Sequence, residues 1–470
     1  MDSKIKKLDA LFNPKSVVLI GASRDSRSVG YGILKNLVSG CFFESRYCKP
    51  FGGRVYAVNP NAQEILGVKC HPSIIDIKEE IDLAVIAVPA KIVPKIMKDC
   101  VKKKVKGFII ISAGFGEIGP EGKKLQNEIV AIARSAKTPL IGPNCLGIIR
   151  TPIYLNASFA PSIPPRGPVA FLSQSGAIAD SIIDWAIEYR YGMSTLISYG
   201  NRADLDVHDF LEWLYDDPET KAIALYIEGI EDGRKFMEVA KKVSARKPII
   251  ALKAGRTAEG ASAIASHTGS LAGSYEIYKT AFRQSGVIVA DNIEELFDLA
   301  KALANQPACR ENSIAVVTNG GGCGVLCADH CSALGVKLVE LKKNTLQKLD
   351  RTGKMHPAYS RRNPLDIIGD ALPDQYEAAI NTLLGEDYIH GLIIIQTLQT
   401  MTDPEKDAKV IIEAHKKYPN KPLICVYMGG QYSKKGAETL ESHHIPDFND
   451  VSKAAKAMWV LVKRGEMGKN

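Results

Sequence analysis

Along the chain, short apolar runs closed by Gly, Pro or Asn alternate with longer stretches whose apolar residues recur at helical spacing, the rhythm of parallel β-α-β structure. The pattern repeats in three blocks. In the first, buried strands are expected at Val17 to Ala22, Val55 to Asn59, Leu83 to Val88, Gly107 to Ser112 and Pro139 to Gly142. A segment carrying Pro152, Pro161, Pro164, Pro165 and Pro168 then breaks every regular pattern and reads as a linker. The second block places strands at Val169 to Ser173, Leu196 to Tyr199, Ala222 to Glu228, Pro248 to Ala254 and Val287 to Ala290. The period lapses again around Asn305 to Asn312, and a third set follows at Ile314 to Thr318, Val336 to Leu341, Leu392 to Thr397 and Leu423 to Tyr427. The expected fold class is α/β, three consecutive Rossmann-like or flavodoxin-like domains with parallel sheets. They divide the chain as 1–150, a Pro-rich linker at 151–168, 169–304 and 313–470. Met1 to Asn13 sets Leu8, Leu11 and Phe12 at helical spacing among Lys and Asp, an amphipathic helix and not a signal peptide.

Composition removes whole classes of function. A chain of 470 residues with 46% hydrophobic content can bury about two to four ordinary cores. No apolar run approaches the roughly 18 residues of a membrane helix. Ten cysteines without framework spacing fit a reducing compartment, so the cytoplasm is expected. The formal charge of +8 comes from scattered lysines. Even the densest run, Lys102, Lys103, Lys104 and Lys106, reads as a solvated surface, so neither nucleic acid nor membrane is expected as a partner.

The candidate chemistry lies in turns that follow strands. The first strand runs into Gly21-Ala22-Ser23-Arg24, where a Rossmann domain would set a dinucleotide phosphate on a helix N-terminus. The fingerprint G-x-G-x-x-G is absent, and Asn59-Pro60 stands where a carboxylate would grip the ribose, so a nucleotide other than NAD is expected. Val88-Pro89-Ala90, Ser112-Ala113-Gly114-Phe115-Gly116 and Gly142-Pro143-Asn144-Cys145 would converge on the same crevice. The second block opens with Ser173-Gln174-Ser175-Gly176-Ala177 after a strand and before a helix, a turn suited to an anion or to simple N-capping. Its twin in the third block is Thr318-Asn319-Gly320-Gly321-Gly322-Cys323-Gly324, whose glycines allow close backbone approach to an anion. His267 stands in small, polar surroundings from Gly255 to Gly273, which point to a mobile loop. Its imidazole, with an ordinary pKa of about 6.5, keeps one nitrogen free as a nucleophile near neutral pH.

The runs Leu11 to Ser23, Val58-Asn59-Pro60-Asn61 and Gly142-Pro143-Asn144-Cys145-Leu146-Gly147 resemble the CoA-binding domain of the ADP-forming acetyl-CoA synthetase and succinyl-CoA synthetase superfamily. Ser266-His267-Thr268-Gly269-Ser270-Leu271-Ala272-Gly273 resembles its phosphohistidine loop. The resemblance implies that Gly21, Ala22, Ser23, Arg24, Val58, Asn59, Pro60, Val88, Pro89, Ala113 and Gly114 hold coenzyme A, with Asn144 and Cys145 near its reactive end. Cys145 is not expected to be a nucleophile. It implies that Ser173, Gln174, Ser175 and Gly176, and likewise Asn319, Gly320, Gly321, Gly322, Cys323 and Gly324, form two helix N-termini facing each other across a transferred phosphate. It further implies that Glu228 orients the ring of His267 and stabilises its positive charge. Phosphate would attack an acyl-CoA thioester, His267 would take the phosphoryl group from the acyl phosphate, and the loop would carry it to ADP. No Walker A motif occurs, and the three blocks use up the length. The Mg-ADP/ATP site is therefore expected on an ATP-grasp beta subunit, in an α2β2 heterotetramer. The third block favours the acetyl-CoA synthetase branch.

Two other groups carry no expected role. Cys323, Cys327 and Cys331, with His330, share a helical face that reads as a small-residue packing face rather than a metal site, and His443-His444 reads as a surface turn. The rival readings are an NAD-dependent dehydrogenase and a non-catalytic CoA-sensing or scaffold protein.

Overall fold

In the computed structural model, residues 3–268 and 274–467 are described, without the side chains of residues 3–6 and 265–268. Three mostly parallel sheets carry the chain. The first comprises β1 (Ser16–Ile20), β2 (Arg54–Val58), β3 (Glu64–Ile65), β4 (Val68–His71), β5 (Leu83–Ile86), β6 (Gly107–Ile110) and β7 (Leu140–Ile141), in the order β3-β4-β2-β1-β5-β6-β7. The second comprises β8 (Gly147–Arg150), β9 (Leu155–Ser158), β10 (Arg166–Ser173), β11 (Met193–Ser198), β12 (Ala222–Ile227), β13 (Ile249–Lys253) and β14 (Val287–Val289), in the order β14-β13-β12-β10-β11-β8-β9. The third comprises β15 (Ile314–Thr318), β16 (Leu365–Asp366), β17 (Gly391–Thr397), β18 (Leu423–Met428) and β19 (Asp447–Phe448), in the order β16-β15-β17-β18-β19. The central strands are continuous runs of Val, Ile, Leu and Ala buried on both faces, as strands covered by helices on each side must be.

The chain forms two compact units, Met1–Leu296 and Phe297–Asn470. The first holds two sheets because one apolar cluster, from Leu8 to Val287, runs through both. The helix Ser3–Phe12 contributes Leu8, Leu11 and Phe12 to it, and the Phe12 ring lies 4.2 Å from that of Trp213. Residues 151–168, expected as a linker, instead contain β9, which forms an antiparallel hairpin with β8 at the edge of the second sheet. The prolines fall outside these strands, and side chains satisfy the exposed backbone. Asn36, fully buried in the helix Val29–Ser39, donates Nδ2 to the carbonyls of Ser158 and Ala160, and Asn156 Nδ2 donates to Gly40 O.

In the second unit the expected strand Val336 to Leu341 is absent apart from one bridge, Ile314 to Leu338. The reason is Asn363. Its Oδ1 accepts from Val316 N while its Nδ2 donates to Ile314 O and Val339 O, so a side chain takes the hydrogen bonds a strand would have made. A second departure concerns the cysteines. Cys41 and Cys48 are joined by a disulfide across the turn after the helix Val29–Ser39, where thiols throughout were expected. No helix among the described residues is long and apolar enough to cross a membrane.

The hairpin is anchored by a buried ion pair. Arg150 Nη1 and Nη2 donate to the two carboxylate oxygens of Asp217 at 2.8 and 2.6 Å, and Thr220 Oγ1 adds a third bond at 2.6 Å. Both charged side chains are almost fully buried, and the guanidinium lies over the Trp213 ring. Burial pushes the Asp217 pKa up, but the bonds from Arg150 outweigh it and hold the carboxyl below its usual range. Arg150→Met is expected to destabilise the first unit by about 3–5 kcal/mol, read as a fall in thermal midpoint, because it strands a buried carboxylate. In the unmodified chain this contribution is present above about pH 4 and is lost as pH falls through the lowered folded pKa.

Candidate functional site

Each sheet reverses its strand order once, and the turns beyond the carboxyl ends of the two strands flanking that point form a crevice. In the first sheet these strands are β1 and β5. Gly21 has φ +101, and a Cβ there would lie 2.2 Å from Ala87 O, so glycine alone lets the two turns close up. A Cβ on Gly30 would lie 1.9 Å from Gly21 O, so the helix that follows also needs glycine at its contact with the turn. Asn59 Nδ2 donates to Ala22 O at 2.7 Å and Arg24 Nη2 to Asn61 O at 2.7 Å. These bonds tie the turns after β1 and β2 together. Ser112 joins the next pair, since Val88 N donates to its Oγ and Asn144 N to its carbonyl.

In the second sheet the crevice lies between β10 and β12. Ser173 Oγ takes Ser175 N–H and donates to Ser175 O, folding a tight turn, and Ser175 Oγ caps Ile178 N. Gln174, expected at the phosphate, also ties down the neighbouring turn. Its Oε1 accepts from the N–H groups of Glu228 and Gly229, its Nε2 donates to Gly229 O at 2.7 Å, and its own N–H donates to Tyr226 O. Its amide is thus spent on fixing the turn that carries Glu228. Tyr278 Oη, which takes Ile230 N–H at 3.0 Å, and Arg202 Nη1, which donates to Gly229 O at 2.7 Å, hold the same turn from other sides.

A cavity of about 1010 Å3 opens where these turns meet in the first unit. Of the expected residues it is lined by Val88, Pro89, Ala113, Asn144, Cys145, Gln174, Ser175, Gly176 and Glu228. Gly21, Ala22, Ser23, Arg24, Val58, Asn59, Pro60 and Gly114 are not among its lining residues. Glu228 is nearly buried at the end of β12. Cys145 is buried with its Sγ toward Ile110 O at 3.3 Å, and burial pushes its thiol up to about 12. Such a thiol is a poor nucleophile at neutral pH.

Among the lining residues that were not anticipated are Glu117, Asn201 and Arg202. Glu117 accepts from Gly114 N, Phe115 N and Asn201 Nδ2. Burial raises its pKa, but these bonds outweigh it and leave the carboxyl below its usual range. Asn201 and Arg202 follow the end of β11. The Gly200-Asn201-Arg202 run was a visible turn signal after a strand, whereas nothing in the sequence marks Glu117.

His267 falls in the last turn of the helix Ala258–Thr268, where a loop was expected. Ala258, Ala261, Ala263 and Ala265 give that segment high helix propensity. The His267 side chain and residues 269–273 lie outside what the structure describes.

The second unit repeats the device at its own reversal, between β15 and β17. Thr318 Oγ1 takes Gly320 N–H and donates to Gly320 O, as Ser173 does with Ser175. Asn319, almost fully buried, donates Nδ2 to Thr397 O and accepts Thr397 N–H on Oδ1, as Gln174 does for Gly229. The glycines have packing reasons of their own: a Cβ on Gly320 would meet Thr397 Cγ2 at 2.6 Å and one on Gly321 would meet Asp366 Oδ2 at 2.7 Å. One on Gly324 would meet Thr318 Cγ2 at 3.0 Å, and only Gly322 faces open space. Cys323 is half-buried, while Cys327 and Cys331 are fully buried in the helix Gly321–Ala333.

Residues 15–151 match the CoA binding domain family, 166–303 the succinyl-CoA ligase like flavodoxin domain family, and 314–464 the ligase-CoA domain family. The chain is 44% identical to acetate–CoA ligase (ADP-forming) II subunit alpha of Pyrococcus furiosus, across 98% of each protein. It is also 44% identical to acetate–CoA ligase (ADP-forming) I of Archaeoglobus fulgidus, over 97% of this chain, and there it spans 63% of a longer protein. The structure superposes with a TM-score of 0.90, at 37% identity and 98% coverage of each chain, on the acetyl-coenzyme A synthetase 1 of Candidatus Korarchaeum cryptofilum solved in complex with phosphate and ADP.

Iodoacetamide at neutral pH is expected to leave Cys145 unmodified in the folded chain and to alkylate it fully in urea. Peptide mass spectrometry reads both states, and rapid modification of the native chain would contradict the buried, high-pKa thiol.

Proposed function

Because the chain belongs to the ADP-forming acetate–CoA ligase family, we propose that it is the CoA-binding, phosphohistidine-carrying chain of an ADP-forming acyl-CoA synthetase, interconverting acyl-CoA, ADP and phosphate with carboxylic acid, ATP and CoA. The observation that carries this reading is the shared cavity: Asn144 and Cys145, at the end of the first sheet, line the same space as Glu228, at the reversal point of the second. A thioester held at one wall is thereby within reach of a carboxylate suited to pairing with an imidazole.

CoA lies in the crevice of the first sheet, against the turns Gly21 to Arg24 and Val58 to Pro60, with its thiol end toward Asn144. Phosphate sits at the N-terminus of the helix Gly176–Tyr189, where backbone N–H groups and the helix dipole favour an anion. The helix Gly321–Ala333 offers a similar N-terminus, opened by Gly322. His267 takes the phosphoryl group from the acyl phosphate, and Glu228 accepts a hydrogen bond from the N–H of its other ring nitrogen and stabilises the positive charge that develops. Gln174 is a positioning residue that fixes the Glu228 turn. Modules 1–150, 169–304 and 313–470 then correspond to CoA binding, phosphoryl capture and ligase functions.

The nucleotide site is supplied by an ATP-grasp partner, as the longer relatives suggest, in an α2β2 assembly acting in the cytoplasm, where CoA and adenine nucleotides are held. The NAD-dependent dehydrogenase and the CoA-sensing scaffold are the readings that family membership disfavours.

The test uses labelled phosphate with a panel of acetyl-, branched-chain and aryl-acyl-CoA thioesters. The unmodified chain is expected to take acid-labile, base-stable label, and His267→Asn to take none while binding CoA with unchanged affinity by calorimetry. Equal labelling of the two proteins would refute the reading.

A further inference from the structure

The turn after β11 has a backbone that its own sequence does not favour. Arg202 has φ +55, a left-handed conformation that side-chain-bearing residues rarely adopt, and it follows Gly200 at φ +51. The surroundings impose it. Asn201 N donates to Pro143 O at 2.9 Å, Ala203 N to Gly142 O at 3.1 Å, and Arg202 N to Tyr199 O at 3.2 Å. From this turn the side chain crosses the cavity wall to Gly229 O. The backbone on either side of Arg202 thus binds the Gly142 to Asn144 turn while its guanidinium reaches the turn that carries Glu228.

Charge gives that position a purpose. The cavity is lined by the carboxylates Glu117, Glu228 and Glu231, against two cations, Lys123 and Arg202. Lys123 is exposed on the first turn of its helix, whereas Arg202 is half-buried. A phosphate dianion beside three carboxylates needs a cation at close range, since backbone dipoles alone do not offset that repulsion. A guanidinium presents five N–H donors in a planar fork matched to phosphoryl oxygens, and the bond to Gly229 O spends one of them.

We propose that Arg202 is a catalytic residue that binds the phosphoryl group as it passes from the thioester to the imidazole; the inference rests on the function proposed above. An oxygen of the hydrogen phosphate dianion attacks the thioester carbon, the C–S bond breaks, and the leaving sulfur takes the phosphate's proton to give CoA and an acyl phosphate dianion. The free imidazole nitrogen then attacks phosphorus, the P–O bond to the acyl group breaks, and the carboxylate leaves. The phosphoryl charge persists through both steps, and the guanidinium stabilises it in each without moving between sites.

The test uses the full chain with labelled phosphate and whichever acyl-CoA labels His267 best. Arg202→Gln is expected to slow labelling on the order of 100-fold and to raise the half-saturating phosphate concentration, while CoA affinity by calorimetry stays within about threefold. Arg202→Lys, which keeps the charge but not the fork, is expected to recover part of the rate and to keep a raised phosphate requirement. Wild-type labelling and phosphate dependence in both variants overturns the assignment. So does a fall in CoA affinity as large as the fall in rate, because Arg202 would then be a structural prop. If the unmodified chain and His267→Asn label equally, the proposed function itself fails and takes this assignment with it.

Discussion

The contact on which the site depends is the approach of Gly200 to the carbonyls of Pro143 and Asn144. A Cβ at position 200 would lie 2.4 and 2.2 Å from those oxygens, so no other residue permits it. The contact presses the turn leaving the first sheet against a turn of the second, and the bonds from Asn201 N and Ala203 N secure it. Without that approach, the Gly142 to Asn144 turn and the turn that carries Glu228 would be features of two separate sheets. With it, Asn144 and Cys145 of the one and Glu228 of the other line a single cavity.

A single local solution recurs at the reversal points of the second and third sheets. A hydroxyl on the last strand residue, Ser173 or Thr318, folds the following turn, and the next side chain, Gln174 or Asn319, spends its amide on the neighbouring strand's end. This answers a general problem of doubly wound sheets. At the reversal point no helix covers the strand ends, so their backbone groups must be paired by side chains or by a ligand. Pairing some of them internally leaves the adjoining helix N-terminus as the remaining place for an anion.

The central strands were legible because they are continuous apolar runs longer than a turn and shorter than a helix. The edges were not. The hairpins β3 with β4 and β8 with β9, and the short β16 and β19, are too brief to show a period, and the prolines around β9 masked a strand that avoids them. Asn363 displaced an expected strand by a hydrogen-bond substitution that no periodicity shows. In the candidate site, the Ser173 to Gly176 turn stood out because it follows a strand and opens a helix, whereas Glu228 was marked only by the family resemblance. Arg202 and Glu117 are brought to the cavity only by tertiary neighbours, and the bonds that Gln174 and Asn319 make to neighbouring strand ends are equally invisible in sequence. The glycines from Gly320 to Gly324 likewise suggested an anion cradle alone, whereas three of them also sit in close contact with neighbouring side chains.

The most direct measurement of this account replaces Gly200 by alanine and compares two quantities: CoA affinity and the rate at which acyl-CoA and labelled phosphate modify His267. The crevice between β1 and β5 lies apart from the contact, whereas the shared cavity depends on it. The account predicts that the modification rate falls far more than the affinity. Equal falls in both, or no change in either, would contradict it.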